Sequence, residues 1–179
     1  MEKGRKNALK RAGIKRYKGD LRLWTKKKIV KEFGFKSTGR IHLSRLLKCL
    51  IYNAYELIKT GKMEPVGGNI RSFWYAWAKP VLSVSGQLKR FAEPYGYMID
   101  TFTHLVLEHG LFKYKEFGFI DEGESDRIVG KENLTVILAA EKRGFFPWLK
   151  KMTDGYGVSV ISLGGQPSVL STEYFVDEI

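Results

Sequence analysis

The run Leu134-Thr135-Val136-Ile137-Leu138-Ala139-Ala140 constrains the fold of this chain more than any other feature. An apolar stretch this continuous has no polar face, so it predicts a strand buried on both sides. Cover on both sides in turn implies parallel pairing with crossover helices. The residues that follow fit that pattern. Phe145–Met152 predicts a short helix, with Pro147 early, where proline is tolerated. Tyr156–Leu163 predicts a second strand, Gly164-Gly165-Gln166-Pro167-Ser168 a turn, and Val169–Val176 a further helix.

The chain upstream has a different period. Ser37–Thr38 is a candidate N-cap. Apolar residues from Ile41 to Ile58 recur at helical spacing, with Arg45 and Lys48 on the polar face. Cys49 lies among the leucines and reads as a small core residue. Gly61 ends this helix, and Glu64-Pro65-Val66-Gly67-Gly68 is turn chemistry. Asn69 can cap a second helix running to about Lys79 and stopping before or soon after Pro80. A third helix is expected from Tyr97 to His109. Helix, turn and helix make a helix-turn-helix order. Leu111–Lys115 and Phe117–Ile120 alternate apolar and polar around a bend, as the hairpin wing of a winged helix would.

Charge divides the chain unevenly. Met1–Lys62 holds 19 Lys and Arg against 4 Asp and Glu, whereas Met63–Ile179 holds 12 against 15. The net charge of +12 therefore sits in the first third. A polyanion is the natural partner, and counterion release would make its binding salt-sensitive. Residues 1–36 read as a basic, partly helical arm for nucleic acid; the plainer alternative is a solvated tail. Lys26, Lys27, Lys28, Arg40 and Arg45 are the candidate DNA-binding residues.

Other classes are excluded. The single cysteine allows no intramolecular disulfide and no multi-cysteine zinc site. The basic N-terminus lacks the apolar core of a signal peptide, and no apolar run is long enough to span a membrane. A cytoplasmic, nucleoid-associated protein is expected. Only four Asn and two Gln beside abundant Lys lean toward a thermophilic, archaeal-like source. The acidic segment from Asp121 to Asp126 lacks the spacing of a calcium loop and reads as part of a linker over 121–132.

Two features offer chemistry. Arg71 and Tyr75 stand four apart, on one face of the second helix. A tyrosine hydroxyl can attack a phosphodiester if its oxyanion is stabilised, and an arginine fork one turn away can hold the phosphate. The neighbouring Phe73, Trp74 and Trp77 read as core. Glu141 follows the first strand, at the sheet edge where ligands of α/β folds gather. It is either a magnesium ligand or a surface carboxylate.

Three motifs, in order, resemble one family. Arg71–Tyr75 resembles the motif around the catalytic tyrosine of the A-type, DNA-cleaving subunit of topoisomerase VI and of the related meiotic double-strand-break transesterases. Ala140-Glu141-Lys142-Arg143-Gly144-Phe145-Phe146 resembles the family's Val-Glu-Lys-x-x-x-Phe, whose Glu belongs to the toprim metal site. Leu163-Gly164-Gly165-Gln166-Pro167 resembles its Gly-Lys-Gly-x-Pro turn, with Gly164 in place of the lysine. The resemblance implies a type IIB DNA topoisomerase subunit in which Tyr75 forms a 5′-phosphotyrosyl link, Arg71 steadies the phosphate and Glu141 helps hold Mg²⁺. It also implies a homodimer, double-stranded DNA as substrate, and partnership with a B-type ATPase. The family's Asp-x-Asp pair has no counterpart here, so the magnesium site is half of the family's. Half a toprim sheet would expose a strand edge, which favours dimerisation or strand pairing.

The expected fold is α+β: a winged-helix domain over 37–120, then a partial toprim-like α/β domain over 133–179. The leading functional expectation is a DNA-binding and strand-cleaving protein like the A-type component of topoisomerase VI. The alternatives are a non-catalytic winged-helix DNA binder, such as a plasmid or viral regulator, and an RNA or ribonucleoprotein assembly factor.

Overall fold

The computed structural model describes residues 2–35, 40–121, 127–162 and 169–179. The Ser37–Thr38 cap, residues 122–126 of the acidic segment, and residues 163–168, with the turn expected over 164–168, lie outside them. The chain divides into two compact units, Met1–Phe119 and Ile120–Ile179. Helices build the first, and a three-stranded sheet with two helices builds the second, so the class is α+β.

The first unit is organised by helix α3 (Leu43–Lys59). Its leucines at three- and four-residue spacing are buried, and Cys49 sits among them as a buried free thiol. Before it come α1 (Glu2–Ala12) and α2 (Lys26–Phe33). These belong to the compact unit, so the expected boundary at residue 36 is not where the chain divides. The physical reason is the sparse apolar set of the basic segment. Leu9, Ala12, Ile14, Leu21, Ile29 and Phe33 are all buried. Asn53 of α3 fastens the turn between α1 and α2: its Oδ1 accepts from the Leu21 N–H at 3.0 Å, and its Nδ2 donates to the Gly19 carbonyl at 2.9 Å.

Asn69 caps the second expected helix, its Oδ1 accepting from the Ser72 N–H. That helix does not stop at Pro80. It runs as α4 (Ile70–Phe73), a π-helical segment (Trp74–Ala78) and α5 (Lys79–Val84). A proline inside an α-helix has no N–H to donate and clashes with the carbonyl four residues back. The wider π turn, in which the Lys79 N–H reaches the Trp74 carbonyl, lets the chain pass Pro80 without a break. Helix α6 (Pro94–Leu107) follows.

Leu111–Ile120, all among the described residues, do not form the expected hairpin wing. Tyr114–Phe117 form a 3-10 turn, and Leu111, Phe112, Tyr114, Phe117 and Phe119 are buried. The alternation there comes from an aromatic core. Phe102 packs edge-on to Phe112 and Phe117, and Tyr114 stacks on it at 5.6 Å. Gly118 closes the turn at φ 72°, where a Cβ would stand 2.8 Å from Pro65 Cβ. A side chain there would meet both backbone strain and a clash.

In the second unit, β2 (Asn133–Ala140) pairs in parallel with β3 (Val158–Ser162), joined by α7 (Phe146–Thr153). Strand β1 (Arg127–Ile128), within the expected linker, adds antiparallel to the other side of β3, and α8 (Val169–Glu178) follows. The sheet order β1-β3-β2 leaves β2 at an edge. The expectation that this strand is buried on both faces fails: Val136, Ile137 and Leu138 are 44%, 43% and 40% exposed. The covered strand is the central β3, where Ser159, Val160, Ile161 and Ser162 are buried. Arg127 is buried and hydrogen-bonded to both Asp121 and Glu178, which ties the start of the unit to its last helix.

Candidate nucleic-acid interface

Lys26, Lys27 and Lys28 form the exposed first turn of α2, capped by Thr25, whose hydroxyl accepts from the Lys28 N–H. Cations at this end oppose the helix dipole, which costs the helix a little stability. Lys28 lies 4.0 Å above the ring of Trp24. The ammonium of Lys26 lies beside Gly86, 3.6 Å from where a Cβ would stand. Arg45 is exposed on α3, 3.6 Å from Glu32.

Few acids answer this charge. Glu32 meets Lys15 at 2.7 Å, the Tyr17 hydroxyl at 2.8 Å and Arg45. Its carboxyl is held below the ordinary range, chiefly by the hydrogen bond from Lys15. Burial, with the bond to Glu32, pushes the Tyr17 phenol up. Glu56 pairs with Arg16, and Asp20 with Arg22. Four carboxylates cannot neutralise the 19 cations of the first 62 residues, so this surface stays strongly positive.

Arg40 is exposed and lines a cleft of about 640 Å³ whose other walls are Phe35, Ile41, Gln87, Arg90 and Phe91. Sequence reasoning missed the last three. The triplet Lys89-Arg90-Phe91, a basic–aromatic pattern between helices, was the available signal.

Tyr75 is 56% exposed on the π segment. The cation on its ring is Lys79, at 4.9 Å, while Arg71 lies over Tyr95 at 5.7 Å. The aromatic neighbours Phe73, Trp74 and Trp77 are core, as expected. Glu141 is exposed and belongs to the second unit, whereas Arg71 and Tyr75 belong to the first. No group of three or more His, Cys, Asp or Glu that could hold a metal occurs among the described residues. Glu141 is one exposed carboxylate, and magnesium favours an octahedral set of oxygens.

Among the described residues no helix is long and apolar enough to cross a membrane. In comparison with known proteins, no family model, no curated protein and no solved structure matches the chain.

Proposed function

We propose that the first unit binds double-stranded DNA through the basic surface built on the start of α2, Arg40 and the exposed face of α3. The observation that carries this reading is the cluster Lys26-Lys27-Lys28 at a helix N-terminus, in a segment whose carboxylates are far outnumbered. Helix stability alone disfavours that placement, whereas a phosphate backbone rewards it. The order helix, turn, helix in α3 and α4 supports the reading better than a winged helix, because the wing residues are core. The order β2, α7, β3, α8 is compatible with a partial toprim-like unit. The open edge of β2 supports pairing with a second copy of the chain. The test is fluorescence anisotropy with a labelled duplex. Five or so phosphate contacts predict roughly a 500-fold loss of affinity between about 50 and 200 mM salt. Affinity that ignores salt contradicts the reading.

A second reading, DNA cleavage by transesterification in the manner of topoisomerase VI, is favoured by the exposure of Tyr75 beside Lys79. In that reading the Tyr75 oxygen bonds to phosphorus, the scissile P–O bond breaks, and the leaving strand oxygen takes up a proton. Lys79 is the cation on the Tyr75 ring, and Arg71, one turn away in sequence, is the residue that the reading asks to steady the phosphate. A B-type ATPase partner belongs to this reading alone. The nucleoid is the corresponding location for either.

A further inference from the structure

The cleft that contains Arg40 has a composition that a phosphate-binding surface does not require. Phe35 and Arg40 are held opposite one another, the Phe35 N–H donating to the Arg40 carbonyl at 2.8 Å beside the antiparallel bridge Gly34–Ile41. The facing wall is the short turn that starts at Gln87, whose carbonyl accepts from the Arg90 N–H at 2.9 Å, and Phe91 follows in extended conformation. Two arginines, two phenylalanines, an isoleucine and a glutamine therefore line one cleft, and among the described residues no acidic one does. Lys26 stands beside Gly86, the residue before Gln87.

Gln87 is the unusual member. It is buried, its Nε2 reaches the Ser85 carbonyl only at 3.4 Å, and its Oε1 has no hydrogen-bond partner among the described residues. A buried acceptor without a donor is costly and calls for an explanation. A nucleobase edge carries the N–H donors that this amide lacks. Guanidinium forks suit phosphate, aromatic rings suit the faces of bases, and about 640 Å³ is within the range of small-ligand sites.

We infer that this cleft takes an unpaired nucleotide, its phosphate on Arg40 and Arg90 and its base against Phe35 and Phe91 with an edge toward Gln87. The inference rests on the nucleic-acid reading above and deepens it: the basic surface holds the backbone, and the cleft captures a base that has left the stack.

The test uses the full chain and three fluorescein-labelled probes: an oligothymidine strand, an abasic strand of equal length, and a paired duplex. Stacking predicts that wild type binds oligothymidine about tenfold tighter than the abasic strand. Phe91→Ala should lose that preference, whereas Arg90→Ala, which removes a phosphate contact common to both strands, should weaken both and keep it. Leu107→Ala, exposed and outside the cleft, should keep it and serves as the folded control. Competition with thymidine monophosphate separates the two sources of the same chemistry. Displacement at concentrations comparable to the strand assigns the cleft to free nucleotides, and displacement by strands alone assigns it to a polynucleotide. If the duplex binds with steep salt dependence but the two strands bind alike, the cleft inference falls and the DNA reading stands. Base preference without duplex binding upholds the cleft and overturns the duplex reading. If no probe binds, both fall.

Discussion

Leu138 and Val160 stand opposite one another in parallel register, yet Leu138 is 40% exposed and Val160 only 1%. One strand of the pair is covered and the other is open at its edge. An open apolar edge strand is a template for another strand. Ile137→Lys should therefore convert a self-associated form to monomer in sedimentation velocity, with little change in melting temperature because Ile137 is already half exposed. A wild-type chain that sediments as a monomer at all concentrations contradicts pairing through β2.

Asn53 is the fastener between α3 and the basic segment. Asn53→Ala removes both of its hydrogen bonds and leaves the Leu21 N–H and Gly19 carbonyl without them. The expected loss is about 2–3 kcal/mol in the urea unfolding of the first unit. A segment that behaved as a detached arm would leave unfolding unchanged.

Glu32 makes the same packing pH-dependent. Its carboxyl titrates below the ordinary range in the folded chain because Lys15 and Tyr17 hydrogen-bond to it. A lowered folded value means that this stabilisation is present above the ordinary carboxylate range, near about 4.3, and is lost as pH falls through the folded value. The melting temperature of wild type should fall more steeply between about pH 5 and pH 3 than that of Glu32→Gln, by a few degrees. Parallel curves for the two proteins contradict the assignment.

Tyr75 separates binding from cleavage. Tyr75→Phe should leave duplex affinity within about twofold, because one exposed hydroxyl adds little to a charge-driven interface. Denaturant trapping of a covalent protein–DNA adduct, with Mg²⁺ in the buffer and a B-type ATPase added, should succeed with wild type and fail with Tyr75→Phe if the transesterase reading holds. Wild type that never yields an adduct removes that reading and leaves binding intact.

The legible parts of the sequence were those where period and burial agree. The leucines of α3 and the cap at Asn69 follow directly from helical spacing and side-chain chemistry. The same reasoning misjudged Leu134–Ala140, because an apolar run reports the capacity to be covered, and the sheet order puts that strand at an edge. It misjudged Leu111–Phe119 because aromatic residues around a 3-10 turn mimic strand alternation. It took the lysine-rich segment for a separate arm because a handful of buried apolar residues, spread among many cations, leave a weak pattern. At the candidate site, Lys26–Lys28 and Arg40 could be read from charge. Gln87, Arg90 and Phe91 join Arg40 only through tertiary packing, which no local pattern encodes.

Contact between the first unit's basic surface and DNA is the central claim, and amide hydrogen exchange with and without a duplex measures it residue by residue. Exchange should slow over Thr25–Phe33 and over residues 40–45 when DNA is added, and return to the free rate at high salt. Unchanged exchange in both segments, or protection confined to the second unit, would contradict it.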